Sequence, residues 1–244
     1  MKFYGKTDIG KKRKENQDRF GVRELDGMTL LAVCDGMGGA NGGAIAASIA
    51  LDTFLSYCEK ELTRGLEATK IRSILSLAVC EANAEVIHHA SQDSSLSGMG
   101  TTLVAALIPE NSDHIFIINV GDSRAYIAYP DKLLQISHDH SYVQLLIDMG
   151  DITPEEAENH PDRNVITRAI GASETTRGDI DNIEIKKPSY LLLCTDGLTG
   201  MVKEKDIKIK IDEASTIEEK VDYLIDMALM GGGDDNVTVL IAEL

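Results

Sequence analysis

The stretch "LLAVCDGMGGANGG", residues 30–43, carries an apolar run into an aspartate, and five glycines follow within eight residues. A continuous run such as "MTLLAVC" (28–34) reads as a strand buried on both faces, because a half-exposed strand would alternate apolar and polar residues. The carboxylate of Asp35 therefore stands where a buried strand leaves the core. The stretch "YLLLCTDGLTG" (190–200) repeats the arrangement: apolar strand, cysteine, then Asp-Gly at the exit. One such sequence is a turn; two point to a shared site.

Outward from these strands, "FYGKT" (3–7) and "DRFGVRE" (18–24) read as short strands. A helix should begin near Gly42 and run through "GAIAASIALDTFLSYCEKEL". A second should cover 69–90, where Ile71, Ile74, Leu75, Ala78, Ala82 and Val86 recur at helical spacing. Four strand-like runs follow, at 101–108, 114–120, 124–129 and 133–137, with short polar connectors that suggest an antiparallel meander. Residues 138–164 break the pattern with a short helix ("YVQLLIDMG"), an N-capped turn at Thr153-Pro154-Glu155-Glu156 and a polar stretch, as a lid would. Strands return at 180–186, 190–195 and 237–243, with a helix at 217–230. Strands grouped with strands and helices in pairs predict an α+β fold, a sandwich of two sheets with helices outside.

The bulk numbers bound the function. The chain has 244 residues and no Pro/Ser/Gly-rich linker, low-complexity tract or repeat, so one domain over 1–244 is expected. Cys34, Cys58, Cys80 and Cys194 form no CxxC pair and read as reduced, buried thiols of a cytoplasmic protein. The N-terminus lacks the apolar segment of a secretory signal, and no run approaches a membrane span. A formal charge of −16 argues against nucleic acid or an anionic membrane as partner.

The acids gather at strand ends. Asp35 and Asp196 follow apolar runs, Asp122 follows "IFIINVG", Asp234 and Asp235 precede "NVTVLIAEL", and Asp18 sits at the entry to an early strand. Two carboxylates about 4 Å apart repel by roughly 4 kcal/mol at an effective dielectric near 20. A converged cluster needs protons or cations, and all-oxygen donors select Mg²⁺ or Mn²⁺ before zinc. Without side chains at Gly36, Gly38 and Gly39, backbone carbonyls can turn toward a metal and substrate can come close. Within "KKRKE", Arg13 is the candidate for a bidentate phosphate clamp.

Other motifs fail on context. "GKTDIGKK" (5–12) places Lys12 where a P-loop needs Ser or Thr, and "GMGGANG" has Asn41 where a dinucleotide fingerprint needs glycine. "GDSRA" (121–125) resembles a nucleophile elbow, yet a strand follows Ser123. His138 and His140 could meet His160 on zinc, but a polar loop is the simpler reading.

Together these stretches resemble the metal-dependent PPM (type 2C) Ser/Thr protein phosphatases in their compact bacterial form. The resemblance runs through Arg13–Asp18, "CDGMGG" (34–39), "GMGTT" (98–102) and "NVGDSRAY" (119–126). It continues through "DHS" (139–141), "NVITRAIG" (164–171), "LLLCTDGLT" (191–199) and "DDNVTVL" (234–240). It implies a central sandwich of two antiparallel sheets flanked by pairs of helices, with a flap over about 140–165. By position, Asp35 would bridge two Mn²⁺ or Mg²⁺ ions, with the Gly36 carbonyl completing the first site and Asp196 and Asp235 holding the second. Asp122, with Asp196, matches a third-metal site; Asp18 would orient waters and Arg13 would bind the phosphate. The implied reaction is direct attack on phosphorus by a hydroxide bridging the ions, without a phosphoenzyme. Bound cations also invert the local field of this acidic protein. The implied partners are phosphoserine and phosphothreonine proteins and a cognate bacterial Ser/Thr kinase, with the phosphatase a cytoplasmic monomer.

The chain departs from the family pattern at the glycine loop. Some relatives carry a histidine there as proton donor; here the positions are Met37, Ala40 and Asn41, and Ala44 replaces a common acidic residue. General acid catalysis is typically worth ~10²–10⁴-fold. His160 in the flap is the candidate replacement, with a metal-bound water as the alternative. Two further readings are a regulatory module that has lost catalysis, and a hydrolase of small phosphoesters or nucleotides. Retention of Asp35, Asp122, Asp196, Asp235 and Arg13 favours the enzyme.

Overall fold

Leu30, Ala32 and Cys34 of β3 (Met28–Met37) face one pair of helices, while Leu31 and Val33 face a second sheet. That double burial is why the run carries no polar alternation. The computed structural model describes residues 1–38 and 42–244; Gly39, Ala40 and Asn41 of the glycine loop lie outside the described residues.

The first sheet runs β1 (Phe3–Asp8), β11 (Val237–Glu243), β10 (Tyr190–Cys194), β7 (Arg124–Ala128), β8 (Leu133–Gln135) in spatial order. The second runs β2 (Asp18–Leu25), β3, β5 (Leu103–Pro109), β6 (His114–Val120), β9 (Asp179–Glu184), with the short β4 (Gly100–Thr101) paired to β3. Every pairing is antiparallel. Helices α1 (Gly42–Glu61) and α2 (Ala68–Gln92) cover the second sheet, and α6 (Glu204–Glu213) and α7 (Ile217–Met230) cover the first. Between the sheets, Leu31, Val33 and Ile117 meet Leu191, Leu193 and Leu240. Each such side chain contributes about 1.5–3 kcal/mol when fully buried. The predicted α+β sandwich with paired outer helices is the observed architecture.

Three details differ from the sequence reading. The four strands after α2 do not form a meander: β5–β6 belongs to one sheet and β7–β8 to the other. The chain changes sheet at Gly121 and Asp122, where Gly121 takes φ +107, a backbone open to glycine and closed to most other residues. The run at 101–108 breaks at Thr102, whose backbone turns to bond Asp35 instead. A helix at Glu204–Glu213 was not expected; it is mostly charged and buries only Ile207 and Ile211.

The segment 142–165 leaves and rejoins the body at a β-bridge between Ser141 and Ile166. It contains α3 (Tyr142–Met149), N-capped by Ser141, and α4 (Pro154–Ala157), closed by the Thr153/Glu156 capping box read from sequence. No helix among the described residues is long and apolar enough to cross a membrane. Cys34, Cys58 and Cys194 are buried free thiols as expected, but Cys80, on the outer face of α2, is exposed.

Candidate active site

β2 and β3 place Asp18 directly opposite Asp35. Asp196 opens the short helix α5 (Asp196–Thr199) after β10, Asp235 leads into β11, and Asp122 occupies the sheet-changing turn before β7. Strands of both sheets thus deliver five acids to one end of the sandwich. Asp18 is buried; the other four keep part of their surface open to solvent.

The backbone around Asp35 is held by the "GTT" segment. Its N–H donates to Thr102 Oγ1 at 2.9 Å, and its carbonyl accepts from Thr101 Oγ1 at 2.8 Å and from the Thr102 N–H at 2.9 Å. Both Asp-Gly steps have the same steric cause. A Cβ on Gly36 would lie 2.1 Å from the Gly43 carbonyl oxygen, and one on Gly197 would lie 1.9 Å from that of Asn236. The glycines admit a neighbouring backbone as much as they admit a ligand.

Asp18 ties the sheets together. Its Oδ2 accepts from Thr195 Oγ1 at 2.8 Å and from Thr238 Oγ1 at 2.7 Å, while Oδ1 is buried with no partner. Asp196 Oδ1 is likewise buried and unpartnered. Arg13, exposed, donates from Nη2 to Asp235 Oδ2 at 2.6 Å.

Known proteins resemble the chain over nearly its whole length. Residues 7–229 match the Protein phosphatase 2C family. The chain belongs to that family. It is 39% identical over 239 residues to the serine/threonine phosphatase stp of Listeria innocua, covering 98% of this chain and 94% of that one. It is 32% identical to protein phosphatase PhpP of Streptococcus pneumoniae, over 98% of this chain and 95% of that one. The crystal structure of serine/threonine phosphatase Stp1 from Staphylococcus aureus superposes with a TM-score of 0.92 at 36% identity, covering 99% of this chain and 94% of that one. A structure of the PstP catalytic domain in complex with two manganese ions matches with a TM-score of 0.82 at 31% identity, over 99% and 97% of the two chains. Its enzyme class is that of the serine/threonine protein phosphatases.

The phosphatase concentrates negative charge at this end of the sandwich, which together with burial favours the protonated form of its acids. Burial, followed by Asp18, Asp196, Asp122 and Asp235, raises Asp35 well above the usual carboxylate range. Burial raises Asp18 to about 7 against its two threonine hydrogen bonds, with Asp196 and Asp235 adding to the rise. Burial, then Asp196 and Asp139, lifts Asp122 to about 7. Asp196 is raised by burial and by Asp235, opposed by a hydrogen bond with Asp35.

The structure brings Arg13, Asp18, Asp35, Gly36, Asp122, Asp196 and Asp235 together; His160 follows α4, in contact with Asp162 and Tyr142. His160 Nδ1 accepts from the Asp162 N–H at 3.1 Å, and its ring lies 6.1 Å from that of Tyr142. The zinc alternative fails because His138 pairs with Asp148 and His140 with Asp179. Nor is His140 a solvated loop residue; it is buried. Ser123 is buried, with Oγ 2.7 Å from Thr102 Oγ1, so the elbow reading gains no exposed nucleophile.

Sequence reasoning missed Asn236, Thr195 and Thr238. Asn236 Nδ2 donates to the carbonyls of Ile9 and Glu15 and its Oδ1 accepts from the Gln17 N–H, which fixes the loop carrying Arg13. Asn236 and Thr195 adjoin acids in the quoted motifs and Thr238 lies three residues beyond Asp235, and that proximity was their only signal.

Proposed function

We propose that this cleft hydrolyses the phosphate monoester of phosphoserine and phosphothreonine side chains in proteins, with divalent cations held by its acids. The observation that carries the reading is that Asp18 Oδ1 and Asp196 Oδ1 are buried without a partner inside a cluster of five carboxylates. Buried polar atoms are normally satisfied, and carboxylates this close require protons or cations. No group of three or more His, Cys, Asp or Glu side chains among the described residues is disposed to hold an ion unaided. Mg²⁺-type sites commonly use one or two carboxylates and complete their shell with water, so the all-oxygen set fits Mn²⁺ or Mg²⁺.

Asp35, the Gly36 carbonyl, Asp196 and Asp235 would hold two ions, and Asp122 with Asp196 a third. Bound ions supply an acidified water as nucleophile and positive charge against the phosphoryl oxygens. Arg13, the exposed guanidinium beside Asp235, offers its remaining N–H donors to the substrate phosphate. Asp18 keeps Oδ2 on its two threonines and presents Oδ1 to orient water. His160 is the flap's candidate proton donor to the leaving alkoxide, with water as the alternative; wild-type kinetics of His160→Ala on a poor leaving group would exclude the histidine. Residues 1–244 act as one catalytic domain with the flap over 140–165, acting on the products of a Ser/Thr kinase.

The test is phosphate release from a phosphothreonine peptide in Mn²⁺ and in EDTA, beside Asp35→Asn and beside a small aryl phosphate. Mn²⁺-dependent turnover that Asp35→Asn abolishes supports the reading. Turnover that persists in EDTA, or a folded protein with none in Mn²⁺ or Mg²⁺, overturns it. Preference for the aryl phosphate over the peptide moves the substrate class to small phosphoesters.

A further inference from the structure

Gly121, the residue before Asp122, has both its backbone polar groups engaged. Its carbonyl accepts from the His140 N–H at 2.9 Å and from Asn119 Nδ2 at 3.1 Å. Its N–H donates to His140 Nδ1 at 3.0 Å. A backbone N–H can only donate, so Nδ1 must carry a lone pair and the imidazole proton must sit on Nε2. Nε2 lies 3.0 Å from Asp179 Oδ2, which accepts that proton's hydrogen bond. Asp179 Oδ1 in turn accepts from Arg168 Nη1 at 2.6 Å, in the segment that returns from the flap. The same return segment bonds His140 directly, through the Thr167 N–H and the His140 carbonyl at 2.8 Å.

We propose that His140 is a positioning residue: locked by Asp179 as the Nε2–H tautomer, its ring holds the Gly121 N–H while its backbone N–H holds the Gly121 carbonyl, and together they fix Gly121 and so the direction of the Asp122 carboxylate that follows. The inference rests on the reading of Asp122 as a metal ligand. At φ +107 the glycine has no side chain to hold its orientation, so the hydrogen bonds must do it. Partners of this kind around a metal ligand are commonly worth 10–100-fold in affinity. Burial, which lowers the His140 pKa, favours the neutral ring that this tautomer needs.

The chain offers a test that moves a proton and almost no heavy atom. In Asp179→Asn, Arg168 can only donate, so the new amide turns its oxygen to Arg168 and its NH₂ to His140. His140 Nε2 must then accept, its proton moves to Nδ1, and donor faces donor at the Gly121 N–H. Arg168→Met in the same background frees the amide to turn its oxygen to His140 and restore the tautomer. The tautomer is read from imidazole ¹⁵N shifts of histidine-labelled protein in Mg²⁺, and ion affinity from calorimetric titration with Mn²⁺.

Wild type should show a protonated Nε2, and Asp122→Asn should remove the weakest class of Mn²⁺ site. Asp179→Asn should show a protonated Nδ1 and weaken that class about tenfold, with the tighter classes unchanged and both effects reversed by Arg168→Met. A wild-type His140 protonated on Nδ1 overturns the proposal. So does Asp179→Asn with a changed tautomer and wild-type affinity in a protein where Asp122→Asn removes the class. If Asp122→Asn leaves every class intact, the ligand reading of Asp122 is what has failed, and the proposal falls with it.

Discussion

Asp18 and Asp35 are cross-strand partners of opposite exposure: they stand opposite one another on β2 and β3, yet Asp18 is only 1% exposed while Asp35 opens to the cleft. The buried carboxylate accepts from two threonine hydroxyls, whereas the Asp35 residue meets threonine hydroxyls only through its backbone, the contrast expected if Asp18 orients water while Asp35 holds cations. The arrangement has a thermodynamic cost without cations, and that cost depends on pH.

Burial lifts Asp18 to about 7, and Asp122 is raised to the same region. In the unfolded chain both ionise near the ordinary aspartate value of about 3.9. In EDTA the folded chain therefore holds more protons than the unfolded one between about pH 4 and 7. The contribution of these groups to stability is fully present below about 4 and is lost as the pH rises through about 7. Thermal melts in EDTA should show Tm falling from pH 5 to 7.5, with Mn²⁺ removing the fall and Asp18→Asn flattening it. An unchanged slope in Asp18→Asn would contradict the assignment.

Asn236 carries the loop of Arg13 on three hydrogen bonds, from Nδ2 to Ile9 and Glu15 and to Oδ1 from Gln17. Asn236→Ala leaves those backbone groups without partners, at about 1–3 kcal/mol for each that stays buried. The expected loss is about 2–4 kcal/mol by urea denaturation, with KM for a phosphopeptide raised at least about threefold. Because the effect passes through the loop, Arg13→Ala added to Asn236→Ala should cost much less than Arg13→Ala alone. Full additivity would separate the two residues.

The sandwich was legible because its strands are buried on both faces: β3 and β10 read as unbroken apolar runs, and each ends in Asp-Gly. The acids were legible because they stand at those ends. Sheet membership was not. Short polar connectors look alike whether the chain turns back within a sheet or crosses to the other, as it does at Gly121. His140 was misread for a related reason: "SHDHS" looks solvated, and only the tertiary fold shows that Gly121 and Asp179 satisfy both ring nitrogens. The reach of His160 could not be read at all, since a flap's position depends on packing rather than on pattern.

Away from the cleft, Lys220 is a buried cation that closes helix α6. Its Nζ donates to the Ile211 carbonyl and to that of Ala214 at 2.7 Å, and lies 4.7 Å from the centre of the Tyr190 ring. Lys220→Met keeps most of the volume but strands two carbonyls at the helix end. A loss of about 2–3 kcal/mol is expected in urea, with kcat/KM on a phosphopeptide unchanged at temperatures where the variant is folded. A wild-type denaturation midpoint would show the cap to be dispensable.

Gly197 separates the steric role of the Asp-Gly steps from backbone freedom. A Cβ there would lie 1.9 Å from the Asn236 carbonyl oxygen, whereas one on Gly65 meets nothing within 4 Å and suffers only from φ +85. Gly65→Ala should cost about 1 kcal/mol, the ordinary penalty of a left-handed alanine. Gly197→Ala must push the strand entry of β11 away from α5, and the residues it separates are Asp196 and the Asp235–Asn236 pair. The expected result is a larger loss of stability together with at least tenfold weaker Mn²⁺ binding by calorimetry, since second-sphere displacements of a ligand are commonly worth that much. If Gly197→Ala costs no more than Gly65→Ala and binds Mn²⁺ normally, the close approach of the two backbones is not what holds these acids in place.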